Sequence, residues 1–217
     1  AEKLKKLTSF PKVKDLEYIK NLRGELDITL NEKAIVNENT GYKLVRGRNI
    51  SYYKTETDEI NEYVLKDFVS STAKADYIKE KRIICQQIVN KNKTRRVSFS
   101  PVEKDYVLAN SCNFIALDKD APITLNFLMG VFNSSIINWY FKLSSTNNHI
   151  NNYEIDEFPV PVNSPYKADI EAAVSEYLQT NNPELLEIID SLVNKSFFMV
   201  EEKSSTNLKL EEAIKKG

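Results

Sequence analysis

The most regular hydrophobic pattern in the chain lies between Leu125 and Tyr140. There Leu125, Leu128, Met129, Phe132, Ile136, Trp139 and Tyr140 recur at spacings of three and four. One face of a helix of roughly four turns is therefore continuously apolar and belongs in a core. The pattern stops abruptly at Ser144, Ser145, Thr146, Asn147, Asn148, His149, Asn151 and Asn152, short hydrogen-bonding side chains with no hydrophobic face to bury. A rigid helix thus delivers a polar loop. Phe158-Pro159-Val160-Pro161 follows, where two prolines remove backbone donors and force an extended exit.

Upstream, alternation dominates. Glu25 to Leu30 reads as a strand, Asn37 to Gly41 as a turn, and Tyr42 to Val45 as a second strand ending in the turn Arg46-Gly47-Arg48-Asn49. Ile60 to Asp67 fits a short helix or an extended segment. Lys81 to Val89 carries the strongest strand signal, with Ile83, Ile84, Cys85, Ile88 and Val89 around Gln86-Gln87. Asn90 to Thr94 is a charged turn and Arg95 to Ser100 the returning strand, so the pair predicts a hairpin with a basic tip. Further strands are expected at Tyr106 to Leu108 and Asn113 to Leu117. Past Val162 the period changes, predicting helices at Ala168 to Leu178, Pro183 to Val193 and Leu208 to Lys216. Residues Ala1 to Leu22, Lys-rich and interrupted by Pro11, read as a lead-in from an upstream domain. The expected fold is α+β: a mixed, mostly antiparallel sheet, a central buried helix and a C-terminal helical extension.

Composition narrows the class. With 41% hydrophobic residues, 11 Tyr and 10 Phe among 217 residues and only 5 Gly, the chain can bury a sizeable core and is neither linker nor repeat array. No apolar run approaches the roughly 18–20 residues that span a bilayer, and Ala1-Glu2-Lys3 opens no signal peptide, so a cytoplasmic location is expected. The net charge of −1 conceals a split. Residues 1–110 hold 22 Lys and Arg against 16 Asp and Glu, a net of +6; residues 111–217 hold 8 against 15, a net of −7. Binding to a polyanion needs such local positive charge and not a basic chain.

Candidate chemistry is mainly that of binding. Lys91, Lys93, Arg95 and Arg96 at the hairpin and Arg46, Arg48 and Asn49 at the turn suit phosphates, or guanine edges in the case of arginine. Asn147, Asn148, Asn151 and Asn152 are suited to adenine edges, although Asn is equally at home in turns, and His149 is a hydrogen-bonding loop residue. Tyr52 and Tyr53 fit either a base stack or the core. Cys85 and Cys112 lie in apolar contexts without His ligands and read as small buried hydrophobes. Asp190 with Glu201 and Lys203 matches the loose spacing of a metal-dependent nuclease, a pattern that arises readily among 31 acidic residues. With a single histidine, no Ser-His or Cys-His relay is supported.

Three blocks in order carry a resemblance: GYKLVRGRNISYYK (Gly41 to Lys54), KRIICQQIVNKNKTRRVSFS (Lys81 to Ser100), and the helix LMGVFNSSIINWYF with its Asn-rich loop and the exit IDEFPVPV. This arrangement resembles the specificity, or target-recognition, domain of TaqI-like adenine DNA methyltransferases, across roughly Leu22 to Val162. The resemblance implies sequence-specific recognition of double-stranded DNA within a bacterial or archaeal restriction-modification system. Its expected divisions are a lead-in at 1–22, a recognition domain at 23–162 and a helical extension at 163–217. The glycine-rich cofactor loop and the Asn-Pro-Pro-Tyr type motif of such methyltransferases do not occur here. S-adenosylmethionine, catalysis and any fused endonuclease are therefore expected in a covalently linked upstream domain, with no cofactor in this chain. The rival readings are half of a type I specificity subunit, which usually carries long heptad spacers not visible here, and a protein-interaction module built on the acidic helices.

Overall fold

A computed structural model describes residues 1–199 and 203–216, with only the backbone described for 203–208. The chain begins with α1 (Glu2–Thr8), β1 (Ile19–Arg23), β2 (Ile35–Val36), β3 (Lys43–Val45), β4 (Ile50–Ser51), β5 (Lys54–Thr55) and β6 (Tyr63–Val64). It continues through α2 (Lys66–Ser71), α3 (Ala75–Ile78), β7 (Arg82–Gln86), β8 (Phe99–Val102), β9 (Tyr106–Leu108) and β10 (Cys112–Leu117). From there it is helical: α4 (Leu125–Phe132), α5 (Ser135–Ser144), α6 (Asn152–Ile155), α7 (Lys167–Thr180), α8 (Pro183–Phe198) and α9 (Lys203–Lys215).

The principal sheet is antiparallel, in the order β1-β10-β7-β8. Its central strands are buried on both faces, which explains their near-continuous apolar sequences. Ile83, Cys85 and Ile115 face the helices, while Ile84, Phe114 and Cys112 face a smaller core on the other side. A second sheet, β2-β6-β3-β9, contains the parallel pair β3/β9, and β4/β5 form a ribbon. The α+β architecture with mostly antiparallel sheets is thus as expected. Both cysteines are free and fully buried, and burial pushes the Cys112 thiol up to about 12 and that of Cys85 higher still.

Several local expectations change. Residues 1–22 also pack on the rest of the fold: Leu7, Val13 and Ile19 enter the main core, and β1 pairs with β10 along its length. The reason is the exit segment, whose prolines leave carbonyls and a few donors to satisfy. Val13 N donates to Phe158 O (3.0 Å) and Val160 N to Pro11 O (2.8 Å). Glu25 to Leu30 is not a strand; Leu26 makes one bridge, and Asp27 then caps a turn by accepting from the amides of Thr29 and Leu30 (both 3.0 Å). Arg95 to Ser98 lies outside β8, because the pairing of Cys85 with Phe99 leaves a long connection instead of a tight hairpin.

The central helix is two helices. Asn133 ends α4, and Ser134 starts α5 by donating its hydroxyl to Val131 O (2.6 Å) and accepting from Ile137 N (3.3 Å). Phe132 is fully buried between Phe99 and Phe158, with ring centroids 5.2 and 5.5 Å away. Trp139, placed in the core by its spacing, is instead 36% exposed, because the break rotates the second helix; Lys3 Nζ covers its ring at 4.9 Å. Helix α4 packs so closely on α7 that a Cβ at Gly130 would lie 2.8 Å from the Ile170 side chain.

One buried ion pair ties the two sheets together. Arg82 and Glu25 have no side-chain exposure; Arg82 donates to Glu25 and to Tyr106 O (2.9 Å), and Glu25 Oε2 accepts from Leu108 N (2.6 Å). Burial raises the Glu25 carboxyl and lowers the Arg82 guanidinium from their ordinary values. Removing one partner strands the other charge, so Arg82→Met is expected to cost about 3–5 kcal/mol, and the double substitution Arg82→Met, Glu25→Leu far less. Urea denaturation of the four proteins of the cycle measures the difference. Phe132→Ala is expected to cost about 3–5 kcal/mol by the same measurement, and Trp139→Ala clearly less.

Candidate nucleic-acid interface

Two connections, residues 87–98 after β7 and residues 145–151 after α5, close on each other as a short antiparallel ladder. Val89 N donates to Asn148 O (2.8 Å), Ile150 N to Gln87 O (2.7 Å) and Lys91 N to Asn148 Oδ1 (2.8 Å), while Ile88 and His149 bridge directly. The basic loop and the Asn-rich loop, far apart in sequence, are therefore one surface.

Helix α5 and the preceding break hold that surface in place. The Asn133 side chain accepts from Phe99 N (2.6 Å) and donates to Phe99 O (2.9 Å), standing in for a neighbouring strand. Its carbonyl, released from helical bonding, accepts from Tyr52 Oη (3.2 Å) and Arg95 Nη1 (2.8 Å). One turn later Asn138 Oδ1 accepts from Arg96 N (2.8 Å) and Val97 N (3.1 Å), and Asn138 Nδ2 donates to Thr94 O (2.8 Å). A loop that would have a mobile backbone is bonded group by group to a helix.

The named candidates divide accordingly. Lys91 and Lys93 are exposed and make no ion pair among the described residues. Arg95 Cζ lies over the Tyr52 ring, 4.0 Å from its centroid, part of a cleft of about 400 Å³ that also takes in Ser51, Gln86, Lys93 and Thr94. Arg96, expected as a surface reader, is 1% exposed. Its guanidinium stacks over Phe141 at 5.1 Å and donates to Ser145 Oγ (3.1 Å) and Asn147 O (2.9 Å), so it braces the Asn-rich loop from within. Burial lowers its pKa from the ordinary value. The residue is occupied by the fold.

The asparagines also part company. Asn147 Oδ1 accepts from His149 N (2.8 Å) and shapes the turn, leaving its amide group and the His149 ring exposed. Asn151 N and Nδ2 both donate to Glu154 Oε2 (2.8 and 3.2 Å), opening α6. Asn152 exchanges hydrogen bonds with Asn21 of β1 (2.8 and 2.9 Å). These two are structural contacts. At the other turn, Arg46 grips Glu62 with Nε and Nη2 (2.9 and 2.8 Å), which holds the Glu62 carboxyl below its ordinary value. Asn49 Oδ1 accepts from Arg46 N (2.9 Å), and Arg48, with a 73% exposed side chain, pairs with the same Glu62 carboxylate at 3.4 Å. Of the two tyrosines that fit either a base stack or the core, Tyr53 is buried and Tyr52 lines the cleft; sequence reasoning missed Gln86, for which the polar pair Gln86-Gln87 in an apolar strand was the available signal.

Asp190 is likewise occupied. Its carboxylate accepts from the amide and hydroxyl of Ser135 (2.7 and 2.6 Å), securing the start of α5 to α8. Glu201 lies outside the described residues, and among the described residues no group of three His, Cys, Asp or Glu is placed to hold a metal. No described helix is long and apolar enough to cross a membrane.

Asn138→Ala removes the acceptor of two loop amides without touching the exposed lysines. It is expected to raise the hydrogen-exchange rates of Arg96 and Val97 amides by about tenfold or more, corresponding to a loss of about 1–3 kcal/mol. Unchanged exchange would show that the loop is held by other means.

Among solved structures, the chain is similar to a Type IIL restriction-modification enzyme, MmeI, in complex with DNA, at 9% identity and a TM-score of 0.47, covering 95% of this chain and 36% of that one. It is also similar to a structure of a type I restriction-modification system, at 10% identity and a TM-score of 0.44, covering 94% of this chain and 45% of that one. The chain thus spans less than half the length of either. Comparison with curated proteins gives no match. Residues 42–160, more than half of the chain, contain both the basic loop and the Asn-rich loop and match the family described as the TaqI-like C-terminal specificity domain, and the chain belongs to that family.

Proposed function

We propose that the chain is the target-recognition domain of a restriction-modification adenine methyltransferase and reads double-stranded DNA with the laddered pair of loops. The observation that supports this most directly is the exposed, unpaired Lys91 and Lys93 on a backbone fixed to α5, beside the exposed Asn147 and His149. Lysines without carboxylate partners are free to replace counterions on phosphate, and a fixed backbone lets neighbouring side chains meet base edges in one register. Arg95, held on Tyr52 beside Lys93, extends the same basic frontage, whereas Arg48, paired with Glu62, is a separate candidate contact.

Within this reading Arg96, Asn151, Asn152, Arg46 and Asn49 support the surface and do not touch DNA. Methyl transfer, S-adenosylmethionine and a covalent link to an upstream catalytic domain are part of the proposal. So is a place in the bacterial or archaeal cytoplasm, where such DNA is found. The family match favours this over half of a type I specificity subunit. The protein-interaction reading rests on the acidic C-terminal helices, where Met199, just after α8, is 54% exposed, and predicts no salt-dependent binding to duplex DNA.

Fluorescence anisotropy with a labelled duplex at several salt concentrations tests the reading. Binding should weaken steeply as salt rises, and replacing Lys91 and Lys93 with Ala should lower the magnitude of the logarithmic salt slope by up to about two units, near 0.9 for each phosphate no longer neutralised. Equal slopes for the wild-type and doubly substituted chains would place the DNA elsewhere.

A further inference from the structure

The loop ladder leaves one large apolar side chain facing outward. Ile88 is 58% exposed, although it sits in the strongest strand pattern of the sequence and its neighbour Val89 packs against the main core. Its position follows from register. Ile88 and His149 are directly opposed, with the Val89–Asn148 and Ile150–Gln87 hydrogen bonds on either side of them. Alternation then sends Ile150 into the core, fully buried, and turns Ile88 and His149 to the other face. A one-residue slip would bury Ile88, but it would expel Ile150 and break both flanking bonds.

A lone exposed apolar residue needs no explanation on an ordinary surface. This one differs in its setting. Its backbone is held by hydrogen bonds at the neighbouring Gln87 and Val89, which fixes the face that it presents, and the chain continues directly to exposed Lys91 and Lys93. A single isoleucine is too small an apolar area for a protein partner, and the exposed, unpaired Lys91 and Lys93 that follow it in the same loop favour a polyanion. The apolar feature that duplex DNA presents at a base edge is the thymine C5-methyl group, in the major groove. Resting on the functional reading above, we infer that Ile88 is a specificity-determining residue that packs on the methyl group of one thymine of the recognised site. His149 stands beside it on the same face.

The test begins with the full chain selecting from duplexes that carry a randomised core, followed by affinity measurements in which each thymine of the enriched site is replaced in turn by uracil, which lacks only the methyl group. At one position the wild-type chain should bind thymine roughly fourfold tighter than uracil, the worth of one buried methyl. Ile88→Ala should abolish that difference, while Ile88→Val keeps part of it and Lys91→Ala weakens both duplexes alike. Because Ile88 is exposed, circular dichroism should show all three variants folded. Thymine and uracil equivalent at every position, or a full thymine preference retained by Ile88→Ala, overturns the assignment. Equivalence with kinking of the duplex would instead indicate a wedge between base pairs, and also overturns it. No enriched sequence at all would count against the functional reading itself, a separate outcome.

Discussion

The structure depends on two asparagines that perform the work of a missing strand. Among the described residues β8 is the edge of the principal sheet; Tyr53 N of the β4/β5 turn donates to Phe99 O (3.1 Å), and residues 94–99 would otherwise leave amides and carbonyls to be satisfied within a partly buried layer. Asn133 and Asn138 supply those partners from the helical layer: an amide side chain offers a donor and an acceptor with the spacing of a peptide group. The arrangement requires the break after Phe132. Were α4 and α5 continuous, the Asn133 carbonyl would be committed to the helix, and Tyr52 and Arg95 would lose their common acceptor.

Buried arginines have a related task. Arg82 and Arg96 are both almost without exposure, yet they use different means of compensation: Arg82 has the carboxylate of Glu25, whereas Arg96 relies on a carbonyl, a hydroxyl and an aromatic face. An ion pair joins two sheets whose relative position must be fixed, and its cost of desolvation is offset only with both partners present. Arg96 braces a loop with neutral acceptors, so among the described residues no carboxylate is bonded to its guanidinium beneath the surface on which Lys91 and Lys93 stand, although the charge of nearby Glu154 acts on it. Negative charge there would oppose a polyanion.

The sequence made the secondary-structure classes legible wherever one period persisted: β7, β10, α7 and α8 fall where alternation or three-and-four spacing places them. It misled where two short elements share one period. Leu125 to Tyr140 reads as a single apolar stripe because Asn133-Ser134 interrupts the backbone but hardly interrupts the spacing, and so Trp139 is drawn into a core it does not enter. Of the candidate site, the composition of its two loops was legible, both as polar and one as basic. The roles within it were not. Arg95 and Arg96 are adjacent and chemically identical, and only the Phe141 ring and the Asn147 carbonyl, more than 40 residues away, make one of them internal.

That internal bracing bears on how a small surface can discriminate. A flexible loop can satisfy a phosphate almost anywhere along a duplex, because charge is tolerant of position, and ordering such a loop on binding would consume part of the interaction energy. Base edges and methyl groups are not tolerant; a displacement of an ångström forfeits the interaction. The Val89–Asn148, Ile150–Gln87 and Asn138–Arg96 hydrogen bonds meet that demand before any ligand arrives, leaving only side-chain rotamers to be ordered. In the proposed reading the lysines, on long flexible stems, supply attraction without register, while the short side chains of Ile88, Asn147 and His149 inherit the fixed geometry of the ladder. Affinity and selectivity would then fall to different residues of one surface, the first to the side chains that move and the second to the backbone that does not.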